Sequence, residues 1–284
     1  RRAKRAVTNV RDEPVRFSLL QKNWMRVSYS RLRPDHLVSR KDRSSSLSDP
    51  YDQFVFHQLA GGINTGHMLH YIFENVQFAD SSRWMRVVED ALKRFAPLQP
   101  EYYAPKLMEL LGHVLNVTIG VGDIQLRLAD VTASRRIHEL EFDFTIPRFN
   151  TEVLESLSDE NRKIYVKSLY DIEGMLNGKI DLFFEYQGKY FVLDWKSNFL
   201  GDQISAYSTA GIMEAMNENN YHLQYLLYTV AVKKYLESRL PQFNYETDFG
   251  GVIYLFLRGV RSDGNTGMFT EKPSLATINQ LSNI

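Results

Sequence analysis

Gly178-Lys179-Ile180-Asp181-Leu182-Phe183-Phe184-Glu185-Tyr186-Gln187-Gly188-Lys189-Tyr190-Phe191-Val192-Leu193-Asp194-Trp195-Lys196 is the stretch that decides the fold. Two runs rich in aromatic and β-branched residues flank Gln187-Gly188, the pattern of a β-hairpin closed by a two-residue turn. Such a turn sets Tyr186 against Lys189, Phe184 against Phe191, Leu182 against Leu193, and Asp181 against Asp194. Directly opposed residues have Cβ atoms about 4.5–5.5 Å apart, and like charges there destabilise the sheet. A hairpin has no structural reason to oppose two aspartates, but a divalent cation between the carboxylates supplies one. Lys196 follows Asp194 by two residues and so shares its face of the strand. Two aspartates and a lysine on one sheet face suit metal-assisted phosphodiester cleavage. The plain alternative is an exposed face with scattered charges, but aspartate is depleted in strands.

Around this hairpin the chain alternates helical and strand patterns. Trp24 to Ser30 reads as the start of the folded part, residues 1–22 as linker and 40–50 as a polar loop. Met68, Leu69, Ile72, Phe73 and Val76 form one apolar stripe on a helix from about Thr65. Further helices are expected near 81–95, 101–117 and 150–170, and over 209–239 with a break at Asn217–Asn220. Residues 137–146 alternate polar and apolar and end at Pro147, which predicts a half-buried strand. Gly250 to Leu257 is continuously apolar, as in a strand covered on both faces, residues 262–267 read as a loop, and a short helix should follow Pro273. The expectation is an α/β fold, a small mixed sheet flanked by helices, with residues 23–284 as its domain.

Composition narrows the chemistry. With 284 residues and 44% apolar content the chain can bury a sizeable core. It has no cysteine, so disulfides, thiolate zinc sites and cysteine nucleophiles are excluded. That fits a reducing compartment, and a cytoplasmic location is the expectation. No apolar run approaches the ~18–20 residues of a membrane span, and the N-terminus lacks a signal-peptide core. Net charge is zero, yet residues 1–43 hold thirteen basic and four acidic side chains, a surplus of nine. The remaining 21 basic and 30 acidic residues leave a deficit of nine. The basic arm reads equally as a nucleic-acid contact or as solvated linker. Arg1-Arg2-Ala3-Lys4-Arg5 reads as the cut end of a longer polypeptide. There is no phosphate-cradling Gly-x-x-x-x-Gly-Lys-Ser/Thr loop and no nucleophile elbow.

Three further groups can carry chemistry. His67, His70 and Glu74 share the helix near 65–78, with His70 at the edge of the apolar stripe. A histidine–carboxylate zinc site is one reading and an ordinary amphipathic helix the other. Glu139 and Glu141 point to one face of their strand, as metal ligands, as supports for ligands, or as an outward polar face. Gln224 and Tyr228 lie one helical turn apart and either buttress a site or belong to the core.

Gly-Lys-Ile-Asp181-Leu, then Leu-Asp194-Trp-Lys196-Ser, then Gln224-x-x-x-Tyr228 resembles the motif set of the PD-(D/E)xK nuclease superfamily. Gly66-x-x-x-His70 with Glu74 resembles the histidine motif of its RecB branch. Arg26 to Leu32, Asp194 to Gly201 and Phe249 to Val260 extend the resemblance to the C-terminal nuclease domain of the RecB family, over roughly residues 16 to 272. The resemblance implies a restriction-endonuclease-like core, PD-(D/E)xK in type. It implies that His70, Asp181, Asp194 and the main-chain carbonyl of Trp195 bind Mg²⁺, that Lys196 is the catalytic lysine, and that Glu139 matches the upstream glutamate, with Glu141 as its rival. Trp195 stands where a tyrosine is usual. Gln224, Tyr228 and Glu74 would support the site or touch substrate. The implied activity is DNA hydrolysis on single strands delivered by a helicase preceding residue 1. The implied partners are DNA, RecC- and RecD-like subunits and the RecA recombinase. A nuclease fold kept only as a protein-binding module is the alternative.

Overall fold

This computed structural model describes residues 24–28, 49–95, 100–166 and 171–282. In chain order these form β1 (Trp24–Ser28), α1 (Ile63–Asn75), α2 (Trp84–Phe95), α3 (Pro100–Asn116), β2 (Ile119–Val121), β3 (Ile124–Leu126), β4 (Arg136–Asn150), β5 (Asp171–Tyr186), β6 (Lys189–Lys196), α4 (Thr209–Glu218), α5 (Tyr221–Arg239), β7 (Phe249–Phe256), β8 (Met268–Glu271) and α6 (Leu275–Ser282). The expected linker 1–22 and most of the expected loop 40–50 lie outside the described residues.

The main sheet runs β1-β5-β6-β7-β8, with β4 also paired to β5. β1–β5 and β6–β7 are parallel, and the other pairs are antiparallel. It is a mixed sheet flanked by helices, as the sequence predicts. The central hairpin has the expected register, with Leu182 opposite Leu193, Phe184 opposite Phe191 and Tyr186 opposite Lys189. Its turn holds because Gln187 and Gly188 both take positive φ, 51° and 78°, as a tight hairpin turn of this twist requires.

β5 is longer than the hairpin suggests, and its pairing leaves a notch. One edge of β5 is covered by β4 from Arg136–Phe184 to Asn150–Asp171. The other edge is shared. β1 takes Glu173–Asn177 and β6 takes Leu182–Tyr186. Residues 178–181 have no ladder partner on that edge among the described residues.

Two helices close the faces near this notch. On α1 the apolar stripe is buried as read from the sequence, with Phe73 stacked on Trp195 of β6 at 4.4 Å. On α5 every residue from Tyr221 to Val232 is buried, the signature of a helix covered on all sides. Strand β7 is buried throughout, as its apolar run predicts. The break between α4 and α5 falls at Asn220, which adopts a left-handed conformation (φ 57°).

Two local expectations need correction. Among the described residues of 150–170, the expected long helix is absent. One short turn, Glu152–Glu155, is followed by an irregular segment up to residue 166. The cause is local hydrogen bonding that competes with the helix ladder. Asp159 Oδ1 accepts from the amides of Asn161 and Arg162, and Ser158 exchanges bonds with Ile164. Asn217 and the fully buried Asn220 then bind the main chain of Lys163 and Tyr165. Nor does β4 end at Pro147. It continues to Asn150 across a register shift between Ile146 and Phe149, where proline cannot donate to the ladder.

The irregular segment meets α5 around a buried histidine. His222 is 2% exposed, its Nδ1 lies 3.3 Å from the Tyr225 hydroxyl, and its Nε2 has no partner. Burial, and then the charge of Arg162, push its pKa down to about 4, against the opposing charge of Asp159. Burial also pushes His138 down to about 4. Both groups are neutral when folded but titrate near 6.5 when unfolded. Stability is therefore complete above pH 6.5 and falls as pH drops from there toward 4, by up to about 1.4 kcal/mol per pH unit for His222. Urea midpoints measured from pH 7 to 4.5 should fall, and less steeply in His222→Phe. An unchanged slope in that variant would show that His222 is not the group being charged.

Candidate active site

The site lies at the notch in the β5 edge. Where the next opposed pair would be Asp181 and Asp194, the hairpin ladder stops at Leu182–Leu193. A side chain takes over from the backbone there, for Asp181 Oδ2 accepts from the Trp195 amide at 2.9 Å. Asp194 is 3% exposed, with Oδ2 2.8 Å from the Lys196 ammonium. The two carboxylates are close enough to interact directly.

Two side chains reach Asp181 from outside the hairpin. His70 on α1 brings Nδ1 to 3.5 Å from Asp181 Oδ1. Glu139 on β4 completes the group, and ligand atoms of His70, Glu139 and Asp181 all lie within 4.8 Å of one another. Glu139 achieves this with a left-handed backbone, φ 55°, which costs a non-glycine residue roughly 1–2 kcal/mol. The ladder passes from His138–Leu182 to Leu140–Ile180 without pairing it. Its carboxylate also pairs with Lys179. Glu141, the rival, is exposed and faces Lys179 across the strands. His67 and Glu74 are exposed and outside the metal-ligand group, so the zinc chelate considered along one helix is not formed among the described residues.

Lys196 is held from several sides. Its ammonium donates to Gln224 Oε1 at 2.8 Å and lies 3.9 Å from the ring centre of Tyr221 and 5.0 Å from that of Tyr254. Gln224 Oε1 also accepts from the Tyr254 hydroxyl, and its amide donates to the Tyr228 hydroxyl, both at 3.0 Å. The sequence pointed to Gln224 and Tyr228. It did not point to Tyr221 or Tyr254. Tyr254 sits in a strand whose apolar run gives no hint of a polar contact.

The electrostatics follow from burial and crowding. Burial pushes Asp194 up, the neighbouring charge of Asp181 adds to it, and Lys196 only partly opposes, leaving it at about 7. Burial also acts to raise Asp181, but bonding and charge from His70, the Lys196 charge and the Trp195 amide bring it below its ordinary value. His70 is lowered by burial yet raised on balance by Asp181 and Asp194. For Lys196 burial is outweighed by Asp194, Tyr221 and Asp181, which hold it above its ordinary value, so it stays an ammonium at neutral pH. Without a cation, two buried carboxylates side by side thus resist double ionisation. The converging donors, the Glu139 and Asp181 carboxylates and the His70 imidazole, suit a hard divalent ion that keeps water ligands, and Asp194 lies outside that group at the next register position, on Lys196.

No protein-family model matches the chain. Among curated proteins it is 34% identical to the RecBCD enzyme subunit RecB of Haemophilus influenzae over 229 residues, 80% of this chain and 19% of that protein. It is 32% identical to the RecBCD enzyme subunit RecB of Escherichia coli K12 over 277 residues, 90% of this chain and 22% of that protein. A third, RecB of Buchnera aphidicola from Acyrthosiphon pisum, is 32% identical over 79% of this chain and 19% of its own length. The chain spans about a fifth of the length of these relatives.

Proposed function

Since the chain belongs to the RecB family, as the counterpart of a RecB C-terminal domain, we propose that it is a Mg²⁺-dependent nuclease domain that hydrolyses phosphodiester bonds in single-stranded DNA. The observation that carries this reading is one cluster. His70, Glu139 and Asp181 converge within 4.8 Å, and the buried Asp194–Lys196 pair lies at the next register position. His70, Asp181 and Asp194 would hold the ion, with Glu139 beside them and the Trp195 main chain next to Asp181. Bound Mg²⁺ supplies Lewis-acid polarisation of the scissile phosphate and a more acidic bound water.

This chain's own residues have separate tasks. As an ammonium, Lys196 serves to orient a phosphate oxygen and stabilise charge developing on phosphorus. Gln224, steadied by Tyr228 and Tyr254, fixes the direction of the ammonium. His70 presents Nδ1 to Asp181 Oδ1 as a donor and keeps that carboxylate turned into the notch. The domain would act in recombinational repair of double-strand breaks in the cytoplasm, on strands fed by a helicase in complex with RecC- and RecD-like subunits, and would present a surface to RecA. No helix among the described residues is long and apolar enough to cross a membrane.

The test is cleavage of a fluorescent single-stranded oligonucleotide with Mg²⁺ and with EDTA. Cleavage should require the metal. Activity persisting in EDTA would sink the metal-dependent reading. Metal binding without any cleavage would favour the protein-binding module.

A further inference from the structure

We infer that the half of the notch next to β1 is a stacking subsite for one unpaired nucleobase of the strand being cut. This rests on the nuclease reading and adds to it where the base beside the scissile phosphate goes.

The notch has two halves. Asp181 and β6 bound one of them. The other is a cavity of about 220 Å³, lined by residues that include Ser28 at the end of β1, Gly178 and Lys179 of β5, Phe142 of β4, and Leu227 and Tyr228 of α5. That is below the ~300–1,000 Å³ of pockets for drug-sized ligands and suits a single planar ring. Phe142 and Tyr228 form an aromatic corner, with ring centres 5.7 Å apart and planes at 77°. Leu227 adds an apolar wall.

Gly178 makes the arrangement possible. A Cβ on Gly178 would lie 2.4 Å from the Phe142 ring, so any other residue here would drive the ring away from the strand. Phe142 is only half-buried despite packing against α5. Phe144 stacks beside it at 6.0 Å and Lys234 lies over Phe144 at 5.2 Å. This extends an aromatic and basic strip away from the metal cluster.

Both walls of the cavity connect to the catalytic cluster. Lys179 pairs with Glu139, which belongs to the metal group. The Tyr228 hydroxyl accepts from Gln224, whose carbonyl accepts from Lys196. Gly178, under the Phe142 ring, is three residues from Asp181 on β5, about 10 Å at strand rise, a span that one nucleotide bridges from phosphate to base. A phosphate at the metal cluster therefore brings an adjacent base to the aromatic corner. Bases in a duplex are stacked and paired and cannot enter, whereas every unpaired base offers a π-face. The chemistry selects a single strand without selecting its sequence.

The test uses this chain with Ca²⁺ in place of Mg²⁺ and an oligodeoxynucleotide carrying 2-aminopurine. Stacking should quench the fluorescence. Phe142→Ala should abolish the quench and weaken binding roughly five- to twenty-fold, and Phe142→Tyr should restore both. An abasic nucleotide should cost the wild-type chain the same factor and Phe142→Ala nothing further. In Mg²⁺ the preference for the oligonucleotide over bis(p-nitrophenyl) phosphate, which has no base, should collapse by that factor in Phe142→Ala. Equal losses on both substrates, or an abasic strand bound as tightly as an intact one, would overturn the subsite. If the wild-type chain cleaves neither substrate, the nuclease reading fails. The quench then decides the subsite alone, supporting it if Phe142-dependent and refuting it if absent.

Discussion

Asp181→Asn and Asp194→Asn should each lower Mg²⁺-dependent cleavage of single-stranded DNA by about a thousand-fold, roughly 4 kcal/mol of transition-state stabilisation, while moving stability in opposite directions. Asn at 181 still accepts from the Trp195 amide, the one main-chain bond that replaces the ladder there. It also removes the negative charge that helps push Asp194 upward. It loses the negative charge that His70 and Lys196 favour enough to hold Asp181 below its ordinary value, so on balance the metal-free variant should be less stable by about 1 kcal/mol. Asn at 194 takes away a charge that burial and Asp181 disfavour enough to hold its carboxyl at about 7, while Lys196 keeps Gln224 and the Tyr221 and Tyr254 rings. At neutral pH and without metal this variant should be as stable as the parent or slightly more stable. Kinetics with Mg²⁺ and urea melts in EDTA measure the two effects separately. Activity within ten-fold of the parent in either variant would remove that aspartate from the site.

Arg258→Met should destabilise the chain by about 3–5 kcal/mol, the largest stability effect expected of any single change outside the metal cluster. Arg258 is 1% exposed. Its guanidinium donates to the carbonyls of Ser197 at 3.0 Å, Val55 at 2.6 Å, Leu59 at 2.9 Å and Ala60 at 2.8 Å. Methionine fills much of the volume but leaves four acceptors without these bonds, those of Val55 and Leu59 buried and those of Ser197 and Ala60 part-buried. Three of them belong to the helical segment Gln53–Gln58 and the two residues after it, ahead of α1, and the fourth follows Lys196. The arginine thus ties the approach to His70 to the end of the strand carrying Asp194 and Lys196. Arg258→Lys should recover only part of the loss, since an ammonium lacks the fixed fork that reaches carbonyls on two segments. A loss below about 1 kcal/mol by chemical denaturation would show that these bonds are replaced by water.

The hairpin was legible because its information is local. A two-residue turn fixes register, and period-two alternation fixes the face, so Leu182–Leu193 and Phe184–Phe191 followed directly from the chain. The stripe on α1, the buried run of β7 and the break at Asn220 were legible for the same reason. Residues 150–170 misled because helical propensity there is outcompeted by side-chain bonds to the main chain and by Asn217 and Asn220, which are more than 50 residues away. The start of β5 at Asp171 was hidden because its partners, β1 and β4, lie far off in sequence.

The candidate site divides along the same line. Sequence by itself determined that two aspartates meet across a hairpin with a lysine beside them, and the family motifs marked His70, Glu139 and Gln224 for attention. Only the tertiary structure decided that β1 and β6 share one edge of β5 and leave a notch between them. It alone turned Glu139 toward His70 and Asp181 in place of Glu141, and enclosed Lys196 with Tyr221 and Tyr254. The physical reason is range. Turn geometry and strand alternation act over a few residues, whereas the notch exists only once strands from distant parts of the chain compete for the same edge.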